Sequence, residues 1–148
     1  MSDGLYYVDT SALVKWVRRE PGTSALVLFT QGAGVVSSEL TLVELPRAMR
    51  RATALDSLLS LAALLDRAND VLASIALWPV TAPLLQAAGA VPEPRLRSLD
   101  AVHVASALPI ASIAPLDGFI SYDLRQAARR CGLRTVAPGA DGPPPVVA

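Results

Sequence analysis

The stretch LYYVDTSALVKWV, residues 5–17, joins two apolar runs through the polar residues Asp9, Thr10 and Ser11. The first run has the length of a short buried strand and the second the length of a helix. Asp, Ser and Thr are preferred at helix N-caps, because their oxygens accept the free N–H groups of the first turn. In open α/β sheets, ligand-binding groups also collect beyond the carboxyl ends of parallel strands. On these residues alone a cap is the favoured interpretation of Asp9, and a ligand is the alternative.

Short strands and helices alternate along the rest of the chain. Strands are predicted at residues 5–8, 33–38, 76–80, 118–123 and 134–138, and helices at residues 11–18, 21–32, 39–52, 55–67, 81–90, 99–110 and 123–132. This order implies an α/β fold with a parallel sheet and right-handed crossovers. Ser38 and Ser98 are predicted to cap helices, and Pro46 to interrupt and kink its helix. Residues 1–138 are expected to form one domain, and residues 139–148 a flexible tail.

Composition limits the class of protein. With 148 residues, 52% of them apolar and 18% charged, the chain can build a substantial core and bury further surface in an oligomer. The formal net charge of zero argues against a generally cationic nucleic-acid binder. Twelve of the thirteen basic residues are nevertheless Arg, whose planar fork binds phosphate in a bidentate manner. For any one Arg cluster, a solvated helix face is the simpler interpretation.

Membrane and secreted classes are not favoured. The uncharged stretch 71–92 is long enough to cross a bilayer, but Pro79 and Pro83 interrupt it. The first residues lack the basic and apolar segments of a signal peptide. Cys131 is the only cysteine, so neither an internal disulfide nor a cysteine-based zinc site is expected. The cytoplasm is the expected compartment, and no membrane partner is expected.

Four carboxylates stand where the surrounding sequence is apolar or begins a helix: Asp9, Glu44, Asp100 and Asp123. A buried carboxylate is costly unless a group of opposite charge pairs with it, and a metal ion would serve. Oxygen ligands suit Mg²⁺ or Mn²⁺. Simpler roles stay open: Asp100 at a helix N-terminus, Asp123 as a cap and Glu44 exposed beside Arg47. His103 lies on the same helix face as Asp100, and a structural histidine is favoured over a role in the site.

Four blocks, in order over residues 5–138, carry a family resemblance: YVDTSALVKW, SSELTLVELPRAMRR, LRSLDAVHVASAL and FISYDLRQAARRCGL. They resemble the signature blocks of PIN domains, and more narrowly those of VapC-type toxins of bacterial VapBC modules. The resemblance implies a PIN-like three-layer α/β/α sandwich with a small central parallel sheet. By motif position it also implies catalytic and metal-binding roles for Asp9, Glu44, Asp100 and Asp123, and supporting roles for Thr10, Ser11 and Ser121. Two departures are Pro46, just after Glu44, and Ser121, where Thr is commoner.

The same resemblance implies an activity and partners. The activity is a Mg²⁺- or Mn²⁺-dependent endoribonuclease, the toxin of a type II toxin–antitoxin system. The partners are an RNA substrate and a VapB-type antitoxin, which is expected to place a basic residue among the carboxylates and to form a higher assembly. A homodimer through helices near residues 26–29 and 58–65 is also expected. The arginines expected to hold RNA are Arg18, Arg19, Arg47, Arg97 and Arg125.

Two rival functions are weighed. A non-catalytic PIN-type module that binds RNA or protein is the main alternative, and retention of all four carboxylates counts against it. A phosphatase of the haloacid dehalogenase type also places an Asp after its first strand. That class uses an Asp-x-Asp pair, and Ser11 stands at the second position here.

Overall fold

The structure, a computed structural model, describes residues 4–140. The strands in this range are Leu5–Val8 (β1), Gly34–Ser38 (β2), Ala76–Trp78 (β3), Gly118–Ile120 (β4) and Thr135–Val136 (β5). The helices in the same range are Thr10–Arg18 (α1), Thr23–Thr30 (α2), Thr41–Leu55 (α3), Leu61–Ala73 (α4), Ala82–Gly89 (α5), Ser98–Ile113 (α6) and Arg125–Arg130 (α7).

The strands form one parallel sheet in the order β3-β2-β1-β4-β5. β1 pairs with β2 on one side and with β4 on the other, with Tyr7 beside both Val36 and Phe119. The order of the strands therefore reverses at β1. In open α/β sheets, such a switch point leaves a crevice at the carboxyl ends of the strands, where ligands bind.

Alternate residues of β1 and β4 face opposite layers, as the period of a strand requires. Val8 and Ile120 pack in a core with residues of α1, α2, α3 and α4. Tyr7 and Phe119 pack in a second core with residues of α6 and α7. Helix α5 packs against α6 on that second side. The sheet thus lies between two helical layers, which confirms the predicted α/β/α sandwich with a small parallel sheet.

The two predicted serine caps are wrong. α3 begins at Thr41, after a turn in which the Ser38 hydroxyl accepts the N–H of Leu40 at 3.1 Å. Ser38 itself ends β2, so its hydroxyl closes the turn that precedes the helix. α6 begins at Ser98, and Arg97 takes the N-cap position without a side-chain bond.

Three predicted element boundaries are also wrong. The helix predicted over residues 39–52 spans Thr41–Leu55 (α3) and continues through Pro46, because its packing of Leu45 and Met49 in the core outweighs one lost backbone bond. The helix predicted over residues 55–67 begins only at residue 61, where Ser60 caps α4. The strand predicted over residues 118–123 ends at residue 120, since the chain turns at Ser121.

Residues 141–148 of the predicted tail lie outside the described residues, and residues 138–140 form a turn. Over residues 4–140, no helix has the length and apolar content needed to cross a membrane.

Candidate functional site

A pocket of about 340 Å³ opens beyond the carboxyl ends of β1 and β4. Four segments line it: the start of α1 after β1, α3, the first two turns of α6, and the loop after β4. The pocket-lining residues that carry polar groups are Asp9, Thr10, Ser11, Glu44, Arg47, Arg51, Asp100, His103 and Asp123. All four predicted carboxylates therefore meet at one pocket, at the switch point of the sheet.

Asp9 is the most enclosed of the four carboxylates, with 2% of its surface exposed. Its Oδ1 accepts the Ser11 hydroxyl at 2.6 Å and the N–H of Ala12 at 3.2 Å, which caps α1. Its Oδ2 accepts the Ser121 hydroxyl at 2.5 Å. Burial raises the pKa of Asp9, and the nearby His103 and these hydrogen bonds oppose the rise. The cap interpretation is thus correct, and it does not exclude a ligand role, because the capping carboxylate lines the pocket.

Ser11 and Ser121 connect Asp9 to the turn after β4. The Ser121 oxygen, which is fully buried, accepts the N–H groups of Leu124 at 2.8 Å and Asp123 at 3.2 Å. The Ser11 oxygen accepts the N–H of Tyr122 at 3.0 Å. Each hydroxyl therefore links the Asp9 carboxylate to the loop that carries Asp123. Their supporting role in catalysis stays a prediction.

Glu44 lies on the first turns of α3 and turns towards the sheet rather than towards Arg47. Its Oε1 accepts the Thr10 hydroxyl at 2.7 Å and lies 2.7 Å from Nε2 of His103. Burial alone would raise the pKa of Glu44, but hydrogen bonds from His103 and Thr10 and nearby positive charge hold it below its ordinary value. The ordinary exposed interpretation of Glu44 is therefore wrong.

Asp100 and Asp123 are more open to solvent than Asp9. Burial raises the pKa of Asp100, and a hydrogen bond from the backbone of Arg97 opposes the rise. Asp123 lies in the loop before α7, whose N-cap position is Leu124, so the cap interpretation of Asp123 is wrong.

The carboxylates around the pocket offer oxygen donors only, which is the donor set that Mg²⁺ and Mn²⁺ prefer. Across residues 4–140, however, no three Asp, Glu, His or Cys side chains are placed so that they could hold an ion together. The chemistry of the donors therefore fits such an ion, while their placement falls short of a ready set of three ligands.

The five arginines predicted to hold RNA are not all at this site. Arg47 lines the pocket, and Arg18 and Arg125 line two neighbouring pockets that share Asp123 with it. Arg19 lies instead in a groove with Trp16 and Arg67, and Arg97 is exposed at the start of α6.

Sequence reasoning missed Arg51, which lines the main pocket with Arg47. Residues three and four positions apart share a helix face, so the spacing of Glu44, Arg47 and Arg51 could have revealed it.

Comparison with known proteins identifies what the chain resembles. The PIN domain family matches residues 6–130. Ribonuclease VapC35 of Mycobacterium tuberculosis is 38% identical over 142 residues, covering 91% of this chain and 98% of the relative. Ribonuclease VapC47 of the same species is 34% identical, covering 92% and 98%. The crystal structure of VapBC2 from Rickettsia felis, bound to a DNA fragment from their promoter, matches with a TM-score of 0.65. At 12% identity, over 90% of this chain and 98% of that chain, the match supports the fold alone.

Proposed function

The chain belongs to the PIN domain family, in the group of VapC ribonucleases, and from this premise we propose that it is a metal-dependent endoribonuclease that acts as the toxin of a toxin–antitoxin pair. The observation that carries the proposal is the pocket in which carboxylates from four segments of the chain meet. The proposed place of action is the cytoplasm.

Asp9, Glu44, Asp100 and Asp123 are the residues that would hold Mg²⁺ or Mn²⁺. When bound, such an ion makes a water molecule a stronger nucleophile and stabilises charge that develops on the phosphate. The chain itself orients the oxygens: Ser11, Ser121 and the start of α1 fix Asp9, and Thr10 fixes Glu44. These donors favour the ionised carboxylates, which is the state that a cation requires.

Cationic side chains in two pockets that adjoin the acidic pocket support RNA as the substrate. Two further pockets adjoin the first at Asp123, which lines all three. One holds Arg95, Arg125 and Arg130, and the other holds Lys15, Arg18 and Arg51. An RNA strand that crosses the acidic pocket and enters the adjoining pockets would place phosphates against cations near the phosphate that meets the carboxylates. This local arrangement explains how a chain of zero net charge can bind a polyanion.

The proposed antitoxin would silence the site by filling it. A guanidinium matches a cluster of carboxylates in charge and in bidentate geometry, so an Arg from the partner would compete with the metal ion. Inhibition should therefore weaken as Mg²⁺ is raised.

The proposed homodimer would use exposed apolar residues of α2 and of the turn before α4. Leu28 and Leu58 are 69% and 94% exposed. Leu26 and Leu64, which the predicted surface included, are buried in the core and cannot contribute.

A cleavage assay tests the proposed activity. Purified protein should cut single-stranded RNA with Mg²⁺ or Mn²⁺ and not with EDTA, and Mn²⁺ should raise the melting temperature. Asp9→Asn combined with Asp100→Asn should abolish both effects. Asp66→Asn, at an exposed acid on α4, is the matched control and should behave as wild type. If RNA is bound but stays intact with either ion, the non-catalytic alternative is correct.

A further inference from the structure

The single histidine of the chain is buried and has a partner at each ring nitrogen. His103 is 2% exposed. Its Nδ1 lies 2.7 Å from the hydroxyl of Tyr7, and its Nε2 lies 2.7 Å from Oε1 of Glu44. The Thr10 oxygen lies 3.1 Å from the same Nε2. A buried ring with both nitrogens bonded in this way has little freedom to rotate.

These partners determine where the protons lie. An ionised carboxylate can only accept a hydrogen bond, so Nε2 of His103 donates to Glu44. In a neutral ring Nδ1 is then the acceptor, and the Tyr7 hydroxyl donates to it. Tyr7 is fully buried, and burial raises its pKa well above the ordinary value, so the hydroxyl keeps its proton. The chain of donors therefore runs from Tyr7 through His103 to Glu44.

This chain of hydrogen bonds crosses from one layer of the fold to the other. Tyr7 on β1 is held by a parallel stack on Phe119, with ring centroids 5.1 Å apart, and it contacts the edge of His103. Both residues lie on the side of the sheet covered by α6, whereas Glu44 belongs to α3 on the opposite side. His103 reaches beyond the end of β1 to join them. The rigid core beneath α6 thereby fixes a carboxylate that projects from α3.

We propose that His103, with its tautomer set by Glu44 and Tyr7 together, is a positioning residue that holds the Glu44 carboxylate for the metal ion. The inference rests on the proposed function. The bonds from His103 and Thr10 both end on Oε1, so they leave the Oε2 atom of Glu44 to other partners. Without the ring, the Glu44 side chain could turn towards Arg47 or Arg51, which line the same pocket. Residues that orient metal ligands typically change metal affinity or activity by about 10–100-fold.

The experiment compares four variants in full-length protein. His103→Leu removes both bonds, His103→Gln keeps a donor for Glu44, and Tyr7→Phe removes only the hydroxyl that bonds to Nδ1. Thr30→Val is the matched control, since its buried hydroxyl bonds to the Leu26 carbonyl on α2, away from the pocket. Calorimetry with Mn²⁺ alone should give affinity weakened by about 10–100-fold for His103→Leu. His103→Gln and Tyr7→Phe should lie between His103→Leu and wild type, and Thr30→Val should match wild type.

A second readout does not depend on activity or on metal. Long-range ¹H–¹⁵N spectra of the free protein give a single set of histidine cross-peaks, because the chain has one histidine. They should report the Nε2–H tautomer in wild type and a mixture in Tyr7→Phe. If His103→Leu does not fold, His103→Gln and Tyr7→Phe still carry the test.

Three outcomes would overturn the inference. One is an Nδ1–H tautomer in wild type. Another is lower thermal stability in the variants with unchanged Mn²⁺ affinity, which would make His103 purely structural. The third is His103→Gln binding Mn²⁺ no better than His103→Leu. By contrast, a wild-type protein with the expected tautomer that neither binds Mn²⁺ nor cuts RNA would refute the proposed function itself.

Discussion

Replacing Ser121 by alanine removes one hydroxyl that makes three hydrogen bonds at the centre of the site. The hydroxyl donates to Oδ2 of Asp9 at 2.5 Å and accepts the N–H groups of Leu124 and Asp123. Both Ser121 and Asp9 are buried, so water cannot easily replace the lost donor. The substitution therefore leaves a buried carboxylate with one donor fewer, and we expect a large loss of stability.

The magnitude follows from the kind of bond that is lost. A hydrogen bond to a charged group contributes about 1.5–3 kcal/mol, and a neutral bond contributes about 0.5–1.5 kcal/mol. The N–H of Asp123 is on an exposed residue and can turn to water, so only the N–H of Leu124 adds materially. The free energy of unfolding should fall by about 2–4 kcal/mol at neutral pH. For a chain of this length the melting temperature should fall by roughly 2–4 °C per kcal/mol.

The loss should depend on pH, because the Ser121 bond favours the ionised form of Asp9. Burial raises the pKa of Asp9 in the folded protein, so stability declines as pH rises from its ordinary pKa to its folded pKa. Removal of the Ser121 hydroxyl raises the folded pKa further, and the decline continues over a wider range. The destabilisation by Ser121→Ala should therefore be smallest in acid, where Asp9 is protonated in both proteins, and greatest at neutral pH.

Urea unfolding in EDTA, followed by tryptophan fluorescence over a series from about pH 4 to 8, measures this dependence. Thr30→Val is the matched control, since that threonine is buried and its hydroxyl bonds to the neutral carbonyl of Leu26 at 2.9 Å, away from the site. Its effect should not vary with pH in this range. A destabilisation by Ser121→Ala that is equal at every pH would refute the reasoning.

Three further predictions concern the surface and the assembly. The double substitution of Arg47 and Arg51 by alanine should weaken RNA binding, and the slope of log K against log salt concentration should become shallower by about 1.4. Arg19→Ala should change neither quantity. Filter binding at several salt concentrations measures both. Gly132→Ala should lower the free energy of unfolding by about 1 kcal/mol, because φ is +89° there. Gly89→Ala should raise the free energy of unfolding, because Gly89 lies at the end of helix α5 and alanine favours a helix. An equal effect of the two substitutions would contradict this. Light scattering at micromolar concentration should give the mass of a dimer, and a monomer would contradict the proposed assembly.

The order of strands and helices could be predicted because it depends on local patterns. Short apolar runs bounded by glycine or serine predicted β1 and β2, and leucines at three- and four-residue steps predicted part of α4. Boundaries were predicted less well, because tertiary contacts decide them. Pro46 is a helix breaker by itself, yet α3 continues through it to bury Met49. Ser121 ends β4 early because its hydroxyl takes the backbone N–H of Leu124.

The four carboxylates could be predicted to meet, since two follow neighbouring strands and the family motif gave the other two. The partners of Glu44 could not be predicted. Helical spacing pointed to Arg47, whereas the structure gives Thr10 and His103, which are 34 and 59 positions away. Such contacts depend on how α1, α3 and α6 pack around the end of β1, and no local pattern contains that information.

Asp9 shows why cap and ligand need not be alternatives. The N–H of Ala12 and the hydroxyls of Ser11 and Ser121 orient the carboxylate, and α1 and the turn after β4 need those same groups for their own backbone geometry. Burial thus disfavours the charged form of Asp9, and the pKa of Asp9 is raised for that reason. A cation in the pocket would relieve part of that cost, so metal should stabilise wild type more than any variant that has lost the charge. Stability measured with and without Mn²⁺ therefore separates the two roles of Asp9. Asp9→Asn should lose the stabilisation that Mn²⁺ gives wild type and keep most of the free energy of unfolding measured without metal.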